Sequence, residues 1–407
     1  MSGGVIQLMA YGAQDMWLTT VPEITFWEAI YKRHTNFAME SMETGFTGQV
    51  DFGRRTTVTI PRNGDLIYRA YLQVELPPLS NPSGTVCWTR EIGHVMIDEI
   101  SVDIGGTTID KQYGIWLSIW NELTLPAGKE DIYRCMIGDV TELNDYSDPS
   151  KTSTPPYTLQ VPLQFWWNRN PGLALPLIAL MYHDIKINIT FRPANDLYIT
   201  NTGAPLAQTP SIANASLYID YVFLDQDERK QFAQNQHSYL IEQLQTGGAE
   251  SVSNSNARCK LTLSHPCKEL LWVVQADSSV VANANRWIDW SIGNPQKPYS
   301  TDNPIVSAKI QINQADRLSM RPASYFTRVQ PYYHHTRGPR SPIHVYSFAL
   351  NPEAHQPSGS INMSRIDVTT LNLNLATGNT PVRIYTFATN YNVLKVLSGM
   401  GGLAYAS

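Results

Sequence analysis

The residues of this 407-residue chain best suited to chemistry are a few histidines, cysteines and polar pairs. His334 and His335 are adjacent, with His344 and His355 close behind, and histidine is the residue type a divalent metal favours. No acidic or Cys partner stands at a ligand-like spacing, and a turn after a strand accounts for them as well. Cys259, His265 and Cys267 lie closer together, but Pro266 stiffens the turn and a fourth ligand is missing. His183 and Asp184, with Ser216 further on, have the residue types of a hydrolytic triad. Nothing there resembles a nucleophile elbow, and adjacent residues on an alternating strand point to opposite faces. Residues 399–402 are Gly-rich but lack the Lys-Ser/Thr of a phosphate loop, and read as a tail able to pass close to a neighbour's backbone. The charges of residues 225–230 read as a helix cap and a solvated face. Asn188, Asn214 and Asn362 each begin an N-x-Ser/Thr pattern, which makes them candidate glycosylation positions, although without a signal peptide host N-glycosylation is not expected there. No catalytic residue, cofactor-binding residue or metal ligand is assigned, and no cofactor is expected.

Any site must be positioned by the fold, and composition bounds the fold. A chain this long suggests two domains of roughly 200 residues. Hydrophobic content is 43% and charged content only 16%, below the roughly 25% usual for soluble domains. Such a surface suits packing against other subunits. A net charge of −5 argues against direct nucleic-acid binding. The four cysteines, Cys87, Cys135, Cys259 and Cys267, form no framework and read as free buried thiols in a reducing compartment. The first basic residue is Lys32, and no secretory signal is read. Ser2 does not fit the N-myristoylation pattern. The apolar run 173–181 is broken by Pro176 and falls short of the ~20 residues of a membrane span. A soluble chain made in the cytosol is expected.

The chain reads as two strand-rich halves around one polar, helix-forming stretch at residues 222–245. Asp225 with Glu228 resembles a capping box, helix formers follow, and Gly247 and Gly248 end the pattern. Alternation marks strands at residues 56–60, 66–76, 95–104, 107–110, 157–163, 178–191 and 216–224. Residues 114–125 show helical spacing through Ile115, Trp116, Ile119, Trp120 and Leu123. Strands follow at 259–263, 269–275, 305–312, 325–330, 344–350, 365–375 and 382–391. About eight strands per half predict an all-β fold: two consecutive eight-stranded antiparallel jelly rolls, a double jelly roll, with short inserted helices. The expected division is an extended N-terminal arm at 1–24, a first jelly roll at 25–224, a linker with a helical segment at 225–248, a second jelly roll at 249–396 and a C-terminal tail at 397–407.

Several stretches resemble the major capsid protein of the nucleocytoplasmic large DNA viruses, the group that includes chlorella viruses and iridoviruses. They are residues 24–40 (ITFWEAIYKRHTNFAME), 165–191 (FWWNRNPGLALPLIALMYHDIKINITF), runs within the linker, 329–335 (VQPYYHH), 346–367 (YSFALNPEAHQPSGSINMSRID) and 390–406 (NYNVLKVLSGMGGLAYA). The pattern departs at residues 314–317 (QADR), where the family would place a Gly before Asp-Arg. The resemblance implies a structural protein, not an enzyme, and a homotrimer that forms pseudo-hexagonal capsomers tiling an icosahedral outer shell. It implies neighbouring capsomers, penton and minor capsid proteins as partners, and the inner viral membrane reached through minor proteins. The alternative is a carbohydrate-binding or glycan-acting jelly-roll protein, favoured by the aromatic load but lacking a carboxylate pair set apart as acid and base.

Overall fold

The structure, a computed structural model, describes residues 3–21, 25–28, 30–145, 148, 150–201, 205–281, 284–294, 298–376 and 381–405. It divides into two units, Met1–Phe37 and Ala38–Ser407. In the smaller unit, the expected extended arm is helical over Gly3–Met9 and Ala13–Thr19. The Gly12 N–H donates to the Asp15 carboxylate at 3.0 Å, so an acidic side chain satisfies a free donor at the start of the second helix. Residues 22–24 of the expected arm, and 406–407 of the expected tail, lie outside the described residues.

In the larger unit the first eight long strands are Phe37–Gly45, Arg55–Thr59, Leu66–Leu76, Ile97–Ile104, Thr107–Tyr113, Tyr157–Pro162, Ile185–Phe191 and Asn214–Leu224. Numbered in order, they form two sheets with neighbours 1-8-3-6 and 2-7-4-5. Eight strands of the second half answer to them, one only two residues long: His237–Val252, Asn256–Leu261, Pro266–Ala276, Ile305–Ile312, Ala315–Asp316, His344–Ser347, Thr369–Leu375 and Val382–Leu397. They repeat the permutation, 1-8-3-6 and 2-7-4-5. Each half is therefore a jelly roll, and the fold is a double jelly roll. The sequence of Ile185–Phe191 shows the cause: Ile185, Ile187, Ile189 and Phe191 are buried on one face, as a period of two requires.

Both rolls carry helices between their fifth and sixth strands: Gly114–Thr124 and Glu130–Ile137 in the first, Tyr325–Val329 and Gln330–His334 in the second. Residues 325–330 were expected as strand and are helical instead. The run YFTRV forms a π-turn that drops Phe326 onto Trp272, ring centroids 5.0 Å apart, and this packing outweighs β-propensity. The connecting helix also differs from expectation. It spans only Gln226–Gln234, capped by Asp225, whose carboxylate accepts the Gln226 N–H at 2.7 Å. From His237 the chain is already the first strand of the second roll, because its backbone pairs with Val382–Leu397. Gly247 and Gly248, expected to end a helix, form a bulge in that strand, with Gly248 at φ +79°.

The departure at residues 314–317 has a backbone cause to reckon with. Ile312 pairs with Ala315 across a two-residue turn, and both Asn313 (φ +47°) and Gln314 (φ +67°) are left-handed. Such a turn favours Asn then Gly, so Gln314 sits where a Gly would be relaxed. The cysteines are all free, with Cys87, Cys259 and Cys267 buried; Cys135 corrects the expectation by being exposed. Among the described residues no helix is long and apolar enough to cross a membrane.

Candidate functional site: the seam between the rolls

The third strand of the second roll, Pro266–Ala276, is buried along nearly its whole length. Its even-numbered residues Leu270, Trp272 and Val274 face the second roll's own core, while Leu271 and Val273 join a core shared with the first roll. That two-sided burial explains its continuous apolar run. The first roll supplies the cover through Gly114–Thr124, whose Trp116 and Trp120 are buried, Trp116 lying 5.5 Å from Phe387 of the last strand. The helix can start there because residue 114 is Gly: a Cβ would lie 2.1 Å from the His94 carbonyl oxygen.

Polar groups rim this apolar seam. Glu122 at the end of the helix accepts the backbone N–H groups of Arg340 (2.7 Å) and Ser341 (2.8 Å), and burial raises its carboxyl above the usual range. Glu130 pairs with Arg337 at 3.0 Å and Arg340 at 2.7 Å. Asp110, pushed up to about 6 by burial, accepts the Leu244 N–H at 3.0 Å. The tail joins too. Met400–Leu403 forms a hairpin with residues 394–397, and Gly399 and Gly401 press against Tyr182 and Leu180 so closely that a Cβ would clash at 2.6 and 2.7 Å.

A chain of buried charge runs through the second roll to the first. Arg169 of the first roll lies 4.0 Å over the Trp120 ring and 3.1 Å from Glu242. Glu242 also meets Lys268 at 2.6 Å, and Lys268 donates to the Pro352 carbonyl at 2.6 Å. His335 stands between Glu269 (3.2 Å) and Glu353 (2.8 Å), its side chain fully buried. Burial alone would lower the imidazole's pKa, but the two carboxylates hold it up at about 9. Three cations thus face three carboxylates, which is what makes such burial tolerable. The histidine pair is divided in use: His334 meets the Leu350 carbonyl at 2.8 Å. Burial pushes His344 down to about 3.

The other sequence candidates are not brought together. Gly401 N–H donates to His183 at 3.1 Å, Asp184 lies 3.6 Å from Arg62, and Ser216 donates to Glu43 at 2.5 Å. Both His183 and Asp184 precede the strand expected to hold them. Cys259 and Cys267 are buried, and the Cys267 thiol donates to the Ser264 carbonyl at 3.5 Å. Among the described residues no group of three His, Cys, Asp or Glu is placed to hold a metal. Asn188 is buried in mid-strand, its amide donating to Ser101 (3.3 Å) and Asp103 (2.7 Å). Asn214 and Asn362 are exposed. Composition missed the seam charges, although Lys268 and Glu269 opening an otherwise apolar strand were a visible signal.

A seam that locks two like rolls into one body suits a building block. Residues 25–225 match a family model described as major capsid protein N-terminus, and residues 228–402 match large eukaryotic DNA virus major capsid protein. The chain belongs to this capsid protein family. The capsid chain is 45% identical to the major capsid protein of Pyramimonas orientalis virus and 43% to that of Phaeocystis pouchetii virus, with 100% of both chains covered in each case. It superimposes on a chain of the PBCV-1 virus capsid, in a quasi-atomic model, with a TM-score of 0.78 at 32% identity, covering 94% of this chain and 100% of that one. Its function is structural: it is a major capsid protein of a large DNA virus, part of the virion, in a family named for its capsid role and not for an enzyme activity.

Proposed function

We propose that three copies close into a homotrimer of near-hexagonal outline, and that these capsomers tile an icosahedral shell. The observation that carries this is the repeated permutation, two like rolls per chain, so that three chains supply six. An asymmetry between the rolls supports it. The third strand of the second roll is covered on its outer face by the first roll's helix. The matching strand of the first roll, Leu66–Leu76, alternates buried and half-buried residues. Its outer face carries a stacked pair, Tyr71 and Tyr218, with rings 5.0 Å apart. The second roll's helices meanwhile expose Tyr332 and Tyr333, 79% and 69%, beside the exposed Arg328. In a pseudo-six-fold ring these tyrosines belong against the Tyr71–Tyr218 face of the next copy, where Glu43 and Asp220 complement the arginine.

The reading includes the division at residues 225–248 into two jelly rolls with an arm and a tail, the latter two directed to the inner face. Neighbouring capsomers, penton and minor capsid proteins are the further partners, the inner membrane is reached through minor proteins, and assembly takes place in the host cytoplasm. Asn214 and Asn362 are the positions open to a glycan, and Asn188 is not. Peptide mass spectrometry of virion-derived protein decides that point. Light scattering with sedimentation tests the trimer, for which three times 45.7 kDa is expected. A stable monomer at micromolar concentration would overturn it.

A further inference from the structure

Where the first roll's strand Thr107–Tyr113 parts from the second roll's strand His237–Val252, a cleft of about 430 Å³ opens between the rolls. Tyr113, Trp287, Tyr385 and Phe387 line it, a set of aromatic walls suited to a planar side chain. Arg192 lies on its floor, only 6% exposed, its guanidinium 3.9 Å over the Trp287 ring. One nitrogen, Nη2, reaches Asp98 at 3.2 Å. Nε and Nη1 are buried and have no hydrogen-bond partner among the described residues. Buried donors left unmade are costly and rare, and the Trp287 ring lies over this guanidinium, so an acceptor that enters the cleft as that ring shifts would be held by it.

The surroundings decide which acceptor. Asp98 and Asp196 both line the cleft, two carboxylates against one guanidinium, so a phosphate or a free carboxylate would be repelled. A neutral carbonyl oxygen would not, and a cation near the mouth would be drawn in. His237–Val252 is also the edge strand of its sheet, and its residues 247–251 beside the cleft are exposed. An exposed strand edge offers backbone donors and acceptors to an extended segment.

We propose that this cleft binds an extended peptide of a partner protein, in which an aromatic residue stands beside a lysine or arginine. The ring enters between Tyr113 and Trp287, a peptide carbonyl accepts from Arg192, and the basic side chain meets Asp98 and Asp196. The test is calorimetric titration of the full-length protein with acetyl-Gly-Ser-Tyr-Lys-Ser-Gly-amide. Saturable binding is expected, weakened at least tenfold when the peptide's Tyr is replaced by Ala or its Lys by Glu. Arg192→Gln in the protein should weaken it at least tenfold as well. Because Arg192 is buried, Ala249→Trp is the second variant: it fills the mouth from an exposed position and should abolish binding with an unchanged unfolding midpoint. The proposal is overturned if the native protein shows no binding at millimolar peptide, if the Glu peptide binds as tightly as the Lys peptide, or if Ala249→Trp binds normally.

Discussion

The two jelly rolls share one strand permutation and differ in what their helical inserts do. The first roll's insert turns inward and is consumed: Trp116 and Trp120 are buried in the seam. The second roll's insert anchors itself with Phe326 and leaves Tyr332 and Tyr333 in the open. Their third strands differ accordingly, one buried on both faces and the other on one. A duplicated fold can thus use the same connection twice, once to join rolls within a chain and once to offer a surface to another chain.

The sharpest way to break this comparison is to truncate both inserts. Trp116→Ala is expected to cost about 3–5 kcal/mol of stability in urea titrations. Tyr332→Ala with Tyr333→Ala should change monomer stability by no more than about 0.5 kcal/mol per site, yet shift sedimentation from trimer towards monomer. Equal effects on folding would show that the inserts are not divided in role. Next comes the buried charge around Glu269 of the second roll. Glu269→Ala leaves three buried cations facing two carboxylates and should cost about 3–5 kcal/mol. The pH profile follows from the raised His335 pKa: its contribution is fully present below the unfolded value of 6.5 and disappears as pH rises through about 9. Unfolding midpoints that stay level between pH 7 and 10 would contradict this, as would an unaltered profile in Glu353→Gln.

A smaller effect concerns the joint between rolls. Asp225→Gly with Glu228→Gly should lower helix stability by about 1 kcal/mol and reduce trimer yield more than roll folding. Normal trimer yield would make the helix a mere tether. The smallest is a gain: Gln314→Gly should relax a left-handed position and stabilise by up to about 1 kcal/mol, visible as a raised melting temperature.

Most of the fold was readable because strands with one wet face declare themselves locally. Leu66–Leu76 and Ile305–Ile312 fall where alternation puts them. The helix at Tyr325–Val329 was not readable, since an aromatic, β-branched run favours strands until Trp272, far away in sequence, offers Phe326 a place. The linker misled for a related reason. Its polar residues are good helix formers, but beyond Asn235 a sixteen-residue strand finds its partner only at the far end of the chain. The seam showed in the sequence only as Lys268 and Glu269 opening an otherwise apolar strand. Arg169, Glu242 and Lys268 look like ordinary surface charges until the fold sets Glu242 3.1 Å from Arg169 and 2.6 Å from Lys268.

The shared core also sets an order of events during synthesis. The first roll is complete in sequence by Leu224 and can fold as it leaves the ribosome, since domains generally fold as units from the N-terminal side. Its helix Gly114–Thr124 then presents Trp116 to water, because the strand whose Phe387 packs on it, Val382–Leu397, is the last long one to be made. For that interval the nascent chain displays a sticky aromatic face, at a time when other copies are being made around it. Slowing translation after Leu224 should therefore lengthen the period in which a chaperone is needed.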